Sequence, residues 1–189
     1  MNPAPDHLLT SRLKLRRWKD SDRPPFARLN SSSEVMRYFP RLLTTDESNA
    51  VVDRITQHFA NHELGLWAVE ILKSGEFIGF VGLQKVGMTT HFTPCVEVGW
   101  RLLSEFWGYG YAVEAAQAAM TDGFTRVELS EIVAMTSLLN IPSIRVMQKL
   151  GMFRDEIDDF DHPNIASDSK LCRHLLYRLR ADQVNWSQE

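Results

Sequence analysis

Cysteine is almost absent from this 189-residue chain: there are two, Cys95 and Cys172, with no CxxC pair and no histidine-rich segment beside either. That scarcity argues against a disulfide framework and against a zinc site, and it makes a reducing, cytoplasmic compartment the simplest expectation. Long apolar runs are missing too. No stretch approaches the ~20 apolar residues of a membrane span, and the opening Met1-Asn2-Pro3-Ala4-Pro5-Asp6 lacks the charged start and apolar run of an export signal. Nor is there an excess of positive charge. Against 24 Asp and Glu stand 21 Lys and Arg, a formal net charge of −3, so the chain as a whole attracts neither nucleic acid nor an anionic membrane. What is present is an apolar content of 44%, the composition of one globular domain with a full core. No repeat or linker divides 1–189, and the core is expected over about 8–181.

Hydrophobic periodicity gives an alternating α/β order. In SRLKLRRW (11–18), Leu13 and Leu15 alternate with Arg12, Lys14 and Arg16, the period-2 pattern of a half-exposed strand, which puts the charges of Arg12, Lys14, Arg16, Arg17 and Lys19 in water. Asp20, Ser21 and Asp22 before Pro24 fit a capped helix start running through Phe26, Ala27 and Leu29. A second helix begins near Thr44 or Thr45, with Val51, Val52, Ile55 and Phe59 at helical spacing. LWAVEI (66–71) and FIGFVGL (77–83), joined by Lys73-Ser74-Gly75-Glu76, read as a β-hairpin. A strand at 95–102 then leads to Gly108 and Gly110, which open an alanine-rich helix. IVAMTS (132–137) is a strand, IPSIRVMQKLG (141–151) a helix ended by Gly151, and LCRHLLYRL (171–179) a closing strand after an acidic loop, 155–169.

The Gly108-x-Gly110 turn carries the strongest chemical signal. Glycines between a strand and a helix let backbone N–H groups approach a pyrophosphate, and the helix dipole adds positive potential, although such a turn is also a common packing device. Two other phosphate motifs do not fit. The third glycine of a GxGxxG dinucleotide fingerprint would be Val113, and the Gly-Lys-Ser/Thr of a P-loop is absent.

Together with its flanks, VEVGWRLLSEFWGYGYAVEAA (96–116), this turn resembles the GNAT superfamily of N-acetyltransferases. Within it the chain is similar to the RimJ/RimL-like branch, which acetylates ribosomal-protein N-termini. The resemblance continues in NIPSIRVMQKLGM (140–152), in SRLKLRRW (11–18) and in EVMRYFP (34–40), and so covers nearly the whole chain. The superfamily's turn, Gln/Arg-x-x-Gly-x-Gly/Ala, maps with Trp107 first, Gly110 fourth and Ala112 sixth. Tyr109 stands where relatives often carry Lys or Arg. The resemblance implies a mixed, mostly antiparallel twisted sheet flanked by helices and splayed between the strands at 95–102 and 131–137, with the pantetheine arm of acetyl-CoA in the gap. Val98, Gly99 and Trp100 would bind the arm and the acetyl oxygen. The N–H groups of Trp107, Gly108, Tyr109, Gly110, Tyr111 and Ala112 would hold the pyrophosphate, and no metal is implied. Arg101 reads as a strand-end solvent charge.

Acetyl transfer needs a neutral amine, a stabilised oxyanion and a proton for the departing thiolate. Glu97 is the candidate base, because it lies on the acetyl-holding strand and faces away from Val96 and Val98; a solvent-facing glutamate is the plain alternative. Many relatives carry an acid tyrosine seven residues after the motif asparagine, but here that position is Met147. Ser143 shares a helix face with Asn140 and Met147 and becomes the candidate acid, with a local cap as the alternative for Ser143 and an N-cap beside a cofactor contact for Asn140. The acceptor is expected to be an amine, a protein N-terminus or a small molecule. A homodimer is common among relatives. A non-catalytic acyl-CoA-binding module is the competing class, favoured by the missing tyrosine. His58 and His62 have metal-pair spacing but no third ligand in the pattern. Asp158, Asp159, Asp161 and His162 form either a solvated turn or an attractor for an incoming cation.

Overall fold

Leu13 and Leu15 do form a strand with their side chains in the core, in a computed structural model that describes residues 4–186. The strand is shorter than its sequence pattern, β2 (Leu13–Arg16), and pairs antiparallel with a short leading strand, β1 (His7–Leu9), that the sequence did not announce. The hairpin follows as β3 (Leu66–Ile71) and β4 (Phe77–Lys85), then β5 (Val96–Leu102), β6 (Glu131–Ser137), β7 (Phe153–Arg154), β8 (Phe160–Asp161) and β9 (Arg173–Arg180). These nine strands make one sheet in the order β1-β2-β3-β4-β5-β6-β9-β7, with β8 also on β9. The closing strand therefore lies inside the sheet, between β6 and β7.

All pairings are antiparallel except β5 with β6, which is parallel and joined through helix α3 (Tyr111–Thr125), because parallel neighbours need a long crossover. That pairing holds at a single register position, Glu97 opposite Val133. β6 by contrast matches β9 along its whole length, Glu131 opposite Arg180 through Ser137 opposite His174. The two strands thus part beyond Glu97, which is the expected splay.

Two helix layers cover the sheet. Phe26 of α1 (Arg23–Ser31) meets Phe80 edge to face, while Leu83, three residues on, packs against Gly123 of α3, so alternation along β4 places α1 and α3 on opposite faces. Alanines 115, 116 and 119 with Met120 bury the apolar side of α3. Helix α2 (Thr45–Asn61) starts with a reciprocal cap: Thr44 Oγ1 accepts the Glu47 N–H at 3.2 Å, and the Glu47 carboxylate accepts the Thr44 N–H at 2.9 Å. Helix α4 (Ile141–Lys149) ends where Gly151 takes φ +75° and the Met152 N–H returns to the Met147 carbonyl.

Two expectations are corrected. Arg16 is not in water. Its Nη1 and Nη2 donate to Asp22 at 2.7 and 2.9 Å and its Nε to Glu70 at 2.6 Å, because the end of β2 lies beneath the 3-10 turn Asp20–Asp22 that leads into α1. Asp22 accordingly turns inward and makes no side-chain cap to α1. The acidic loop, in turn, is no free attractor for a cation. Asp158 accepts from Arg178 Nε at 2.8 Å, Asp161 from Arg173 at 3.3 Å, and Asp159 is paired with Arg154.

Candidate active site

After β5 the chain makes a 3-10 turn, Ser104–Phe106, and then the glycine turn. Gly108 and Gly110 stand at φ +83° and +82°, a left-handed conformation that side chains resist, and Gly110 precedes the first residue of α3. The consequence is a run of donors without acceptors: among the described residues, none of the N–H groups from Gly108 to Val113 has a protein partner. The helix N-terminus adds its partial positive charge to theirs. The expected set is corrected at its first member, since the Trp107 N–H donates to the Ser104 carbonyl at 3.1 Å. The Trp107 indole N–H donates to the Leu102 carbonyl at 2.9 Å, so Trp107 braces the turn.

An arginine does reach this turn, but as a brace, because a carboxylate of α3 pairs with it. Arg12, in the turn before β2, donates from Nη1 to the Tyr109 carbonyl at 3.0 Å and from Nε to Glu114 of α3 at 2.6 Å, with its guanidinium 4.7 Å from the Tyr111 ring centre. Burial would raise the Glu114 carboxyl, but hydrogen bonds from Thr10 and Arg12 hold it below the usual glutamate range. Arg12 therefore fastens the N-terminal strands to the first turn of α3.

On β5, Glu97, Gly99 and Arg101 share one face by alternation, the face toward α1. Glu97 is half-buried and accepts from Gln84 Nε2 at 2.5 Å across β4. Burial pushes its carboxyl above the ordinary range, against the opposing pull of that hydrogen bond. Arg101 is not the solvent charge its strand-end position suggested. Its Nη1 donates to Asn30 Oδ1 at 2.5 Å, its guanidinium lies 4.1 Å from the Phe39 ring centre, and burial lowers it to about 10. A Cβ on Gly99 would meet nothing nearer than Leu66 Cδ2 at 3.9 Å, so the glycine leaves the floor open between Glu97 and Arg101.

Across the splay, Asn140 caps α4: its Oδ1 accepts the Ser143 N–H at 3.3 Å and its Nδ2 donates to Thr136 Oγ1 at 2.9 Å. The cap belongs to Asn140, and among the described residues the Ser143 hydroxyl has no hydrogen-bond partner. Met147 is fully buried behind it.

One cavity of ≈ 980 Å³ brings these groups together, near the upper end for small-molecule sites. Its lining includes Glu97, Val98, Gly99 and Trp100, the turn residues Trp107, Gly108, Gly110, Tyr111 and Ala112, and Asn140 and Ser143. Tyr109 is the expected site residue outside it, its ring exposed and stacked on Tyr111. Val98 turns its side chain into the core, which leaves only its backbone for a ligand. Sequence reasoning missed Gln84, Arg101 and the wall made by residues 35–41 and Leu43, and also Arg12, which braces the glycine turn from outside the cavity. For Arg101 the signal was available, since the period-2 rule that put Glu97 in the site puts Arg101 on the same face.

A family model described as an acetyltransferase (GNAT) domain matches residues 12–153. The uncharacterized N-acetyltransferase YnaD of Bacillus subtilis (strain 168) is 34% identical over 154 residues, covering 79% of this chain and 84% of the relative. The FsC-acetyl coenzyme A-N(2)-transacetylase of Aspergillus fumigatus is 30% identical over 179 residues, 90% of this chain and 76% of that one. Among solved structures, an acetyltransferase (GNAT family) from Bacillus anthracis superposes with a TM-score of 0.77 at 25% identity, over 93% of this chain and 99% of the other.

Proposed function

The chain belongs to the GNAT acetyltransferase family, and from that premise we propose that it is an acetyl-CoA-dependent N-acetyltransferase of the RimJ/RimL-like branch. Its acceptor is a primary amine, a protein N-terminus or a small molecule, that attacks directly in a ternary complex. The observation that carries this reading is the run of unpartnered N–H groups from Gly108 to Val113 at one end of a cavity that has Glu97 at the β5–β6 splay. The A. fumigatus relative, whose name specifies acetyl coenzyme A and a nitrogen acceptor, supports the donor and the acceptor type.

Acetyl-CoA supplies the thioester acetyl group, and the residues of the chain divide the remaining work. The N–H groups of Gly108 to Val113 hold the pyrophosphate at the helix N-terminus. β5 keeps its unpaired edge from Val98 to Trp100 toward the gap, where backbone groups align the pantetheine amides and an N–H stabilises the oxygen of the acetyl carbonyl as charge develops there. Glu97, directly or through a water, takes the proton that the amine must lose, and burial raises its affinity for protons above that of an ordinary carboxylate, as a base requires. The Ser143 hydroxyl passes a proton to the thiolate as the C–S bond breaks and takes one from solvent in turn, so that no alkoxide is left. A free thiol has a pKa of roughly 8.5, so the thiolate leaves passably unaided, and Ser143→Ala should lower kcat by no more than about 100-fold, the low end for an acid, while leaving the KM for acetyl-CoA unchanged. Steady-state kinetics of the variant check both values.

The donor is tested by thermal unfolding with acetyl-CoA, CoA and NADH. A ligand at 100 times its Kd adds ~2.7 kcal/mol, so the two CoA species should raise the midpoint and NADH should not. A protein that shifts with neither CoA species is not using this donor. Peptides copying ribosomal-protein N-termini are the first acceptors to try after a positive shift.

A further inference from the structure

The charge of the cavity is one-sided. Glu97 is the single carboxylate among its described lining residues, whereas Arg37, Arg41, Arg54, Arg101, Arg145 and Lys149 all line it. Arg145 and Lys149 lie on α4, Arg37 and Arg41 in the segment between α1 and α2, and Arg54 on α2. Arg41 is neutralised by Glu47, at 2.6 Å, and Arg37 has the rings of Tyr38 and Trp107 as neighbours, 4.7 and 5.9 Å away.

Arg101 stands apart from these. Asn30, fully buried and oriented by its own hydrogen bond to Ser48 Oγ at 2.8 Å, holds one end of the guanidinium at 2.5 Å. Phe39 and Phe80 flank it at 4.1 and 5.5 Å. Its Nε–H is buried and unpartnered, and among the described residues no carboxylate pairs with it. A fixed, largely desolvated guanidinium is costly to leave without an anion, and guanidinium donors suit carboxylate or phosphate; with Nη1 on Asn30 and Nε shut in, Nη2 is the nitrogen left for a ligand. Gly99 leaves the floor open between it and Glu97, four residues away and thus roughly 13 Å along an extended strand.

We infer that the acceptor is a primary amine that also carries an anionic group, a carboxylate or a phosphate, which Arg101 binds while the amine lies at Glu97. The inference rests on the acetyl-transfer reading and narrows its acceptor. Polyamines are disfavoured, because a second cation beyond the one at Glu97 would meet Arg101 and no further carboxylate among the described lining residues.

The test compares matched amines of one length with saturating acetyl-CoA, following thiol release: 6-aminohexanoate against hexylamine and 1,6-diaminohexane, and 6-aminohexyl phosphate against 6-aminohexanol. The wild type should favour an anionic member by about tenfold or more in kcat/KM, as expected for a charge-assisted pair, and the pair that responds identifies carboxylate or phosphate. Arg101→Gln should erase the preference by raising KM for the anionic amine at least tenfold more than KM for its neutral match, a selective loss that removal of a merely structural contact would not give. Arg101→Lys should keep part of the preference and carries the comparison should the glutamine variant fail to fold. A preference for the diamine, or an anion preference that survives Arg101→Gln, overturns the inference. Calorimetric titration of glutarate and inorganic phosphate into the acetyl-CoA complex separates the two readings. Binding that disappears in Arg101→Gln, with no amine turned over, upholds the anion site and points the failure at acetyl transfer; no binding, with none of these amines favoured, overturns the inference itself.

Discussion

Glu97→Gln should cut kcat/KM about 100- to 1,000-fold, within the range that general-base catalysis supplies, leave acetyl-CoA affinity unchanged, and raise the thermal midpoint near neutral pH. The rate loss follows because glutamine cannot take a proton, although it fills the same space and still offers an oxygen to Gln84. The stability gain follows from the sign of the shift. Burial raises the folded carboxyl above its unfolded value. Over the window from the ordinary glutamate range up to that raised value the folded chain binds more protons than the unfolded one, so stability falls as pH rises through it. Once ionised, Glu97 is a liability that the amide does not carry, a trade of stability for activity. The wild-type pH–rate profile should climb in two limbs, one above the ordinary carboxylate range for Glu97 and one for the amine, itself near ~10. Only the second should remain in the variant. Unchanged turnover in Glu97→Gln removes Glu97 from the base role.

What the sequence disclosed and what it concealed divide by the range of the interaction. The glycine turn, the α4 cap region and the alternation on β5 are local patterns, and each element lies within a few residues of its expected place: Val96–Leu102 for the strand at 95–102, Tyr111 for the start of the alanine-rich helix, Arg173–Arg180 for the closing strand. The splay is not local, since it depends on β6 taking β9 rather than more of β5 as its partner, and only the family resemblance brought it into view. The wall from Val35 to Leu43 and the partners of Arg101 and Arg12 are contacts 71 and 97 residues apart in the chain. No periodicity carries such information, and a charged residue on a strand reads by default as solvated. Arg16 and Arg101 are where that default fails, and they fail for different reasons. Arg16 meets two acids of its own fold, whereas among the described residues no acid pairs with Arg101.

Asp22→Ala should destabilise the protein by about 3–5 kcal/mol, the cost of breaking a buried ion pair from one side, and lower the thermal midpoint by roughly 10 °C for a domain of this size. Asp22 is 2% exposed and accepts three hydrogen bonds, two from the Arg16 guanidinium and one from the Lys19 N–H at 2.8 Å. Removing it leaves Arg16, 6% exposed, with Glu70 as its one remaining carboxylate, and frees the turn that leads into α1. The effect belongs to the pair, so Arg16→Met combined with Asp22→Leu should lose less than Asp22→Ala alone, since no buried charge is then stranded at that end. Urea unfolding of the three proteins measures this. If the double variant falls further than the single one, the pair contributes net stability and the desolvation argument for it is wrong. Neither residue lines the large cavity. Acetyl-CoA binding by Asp22→Ala, measured well below its midpoint, should therefore match the wild type, which separates this network, a support for the scaffold, from Arg101, whose replacement should change which amine is used.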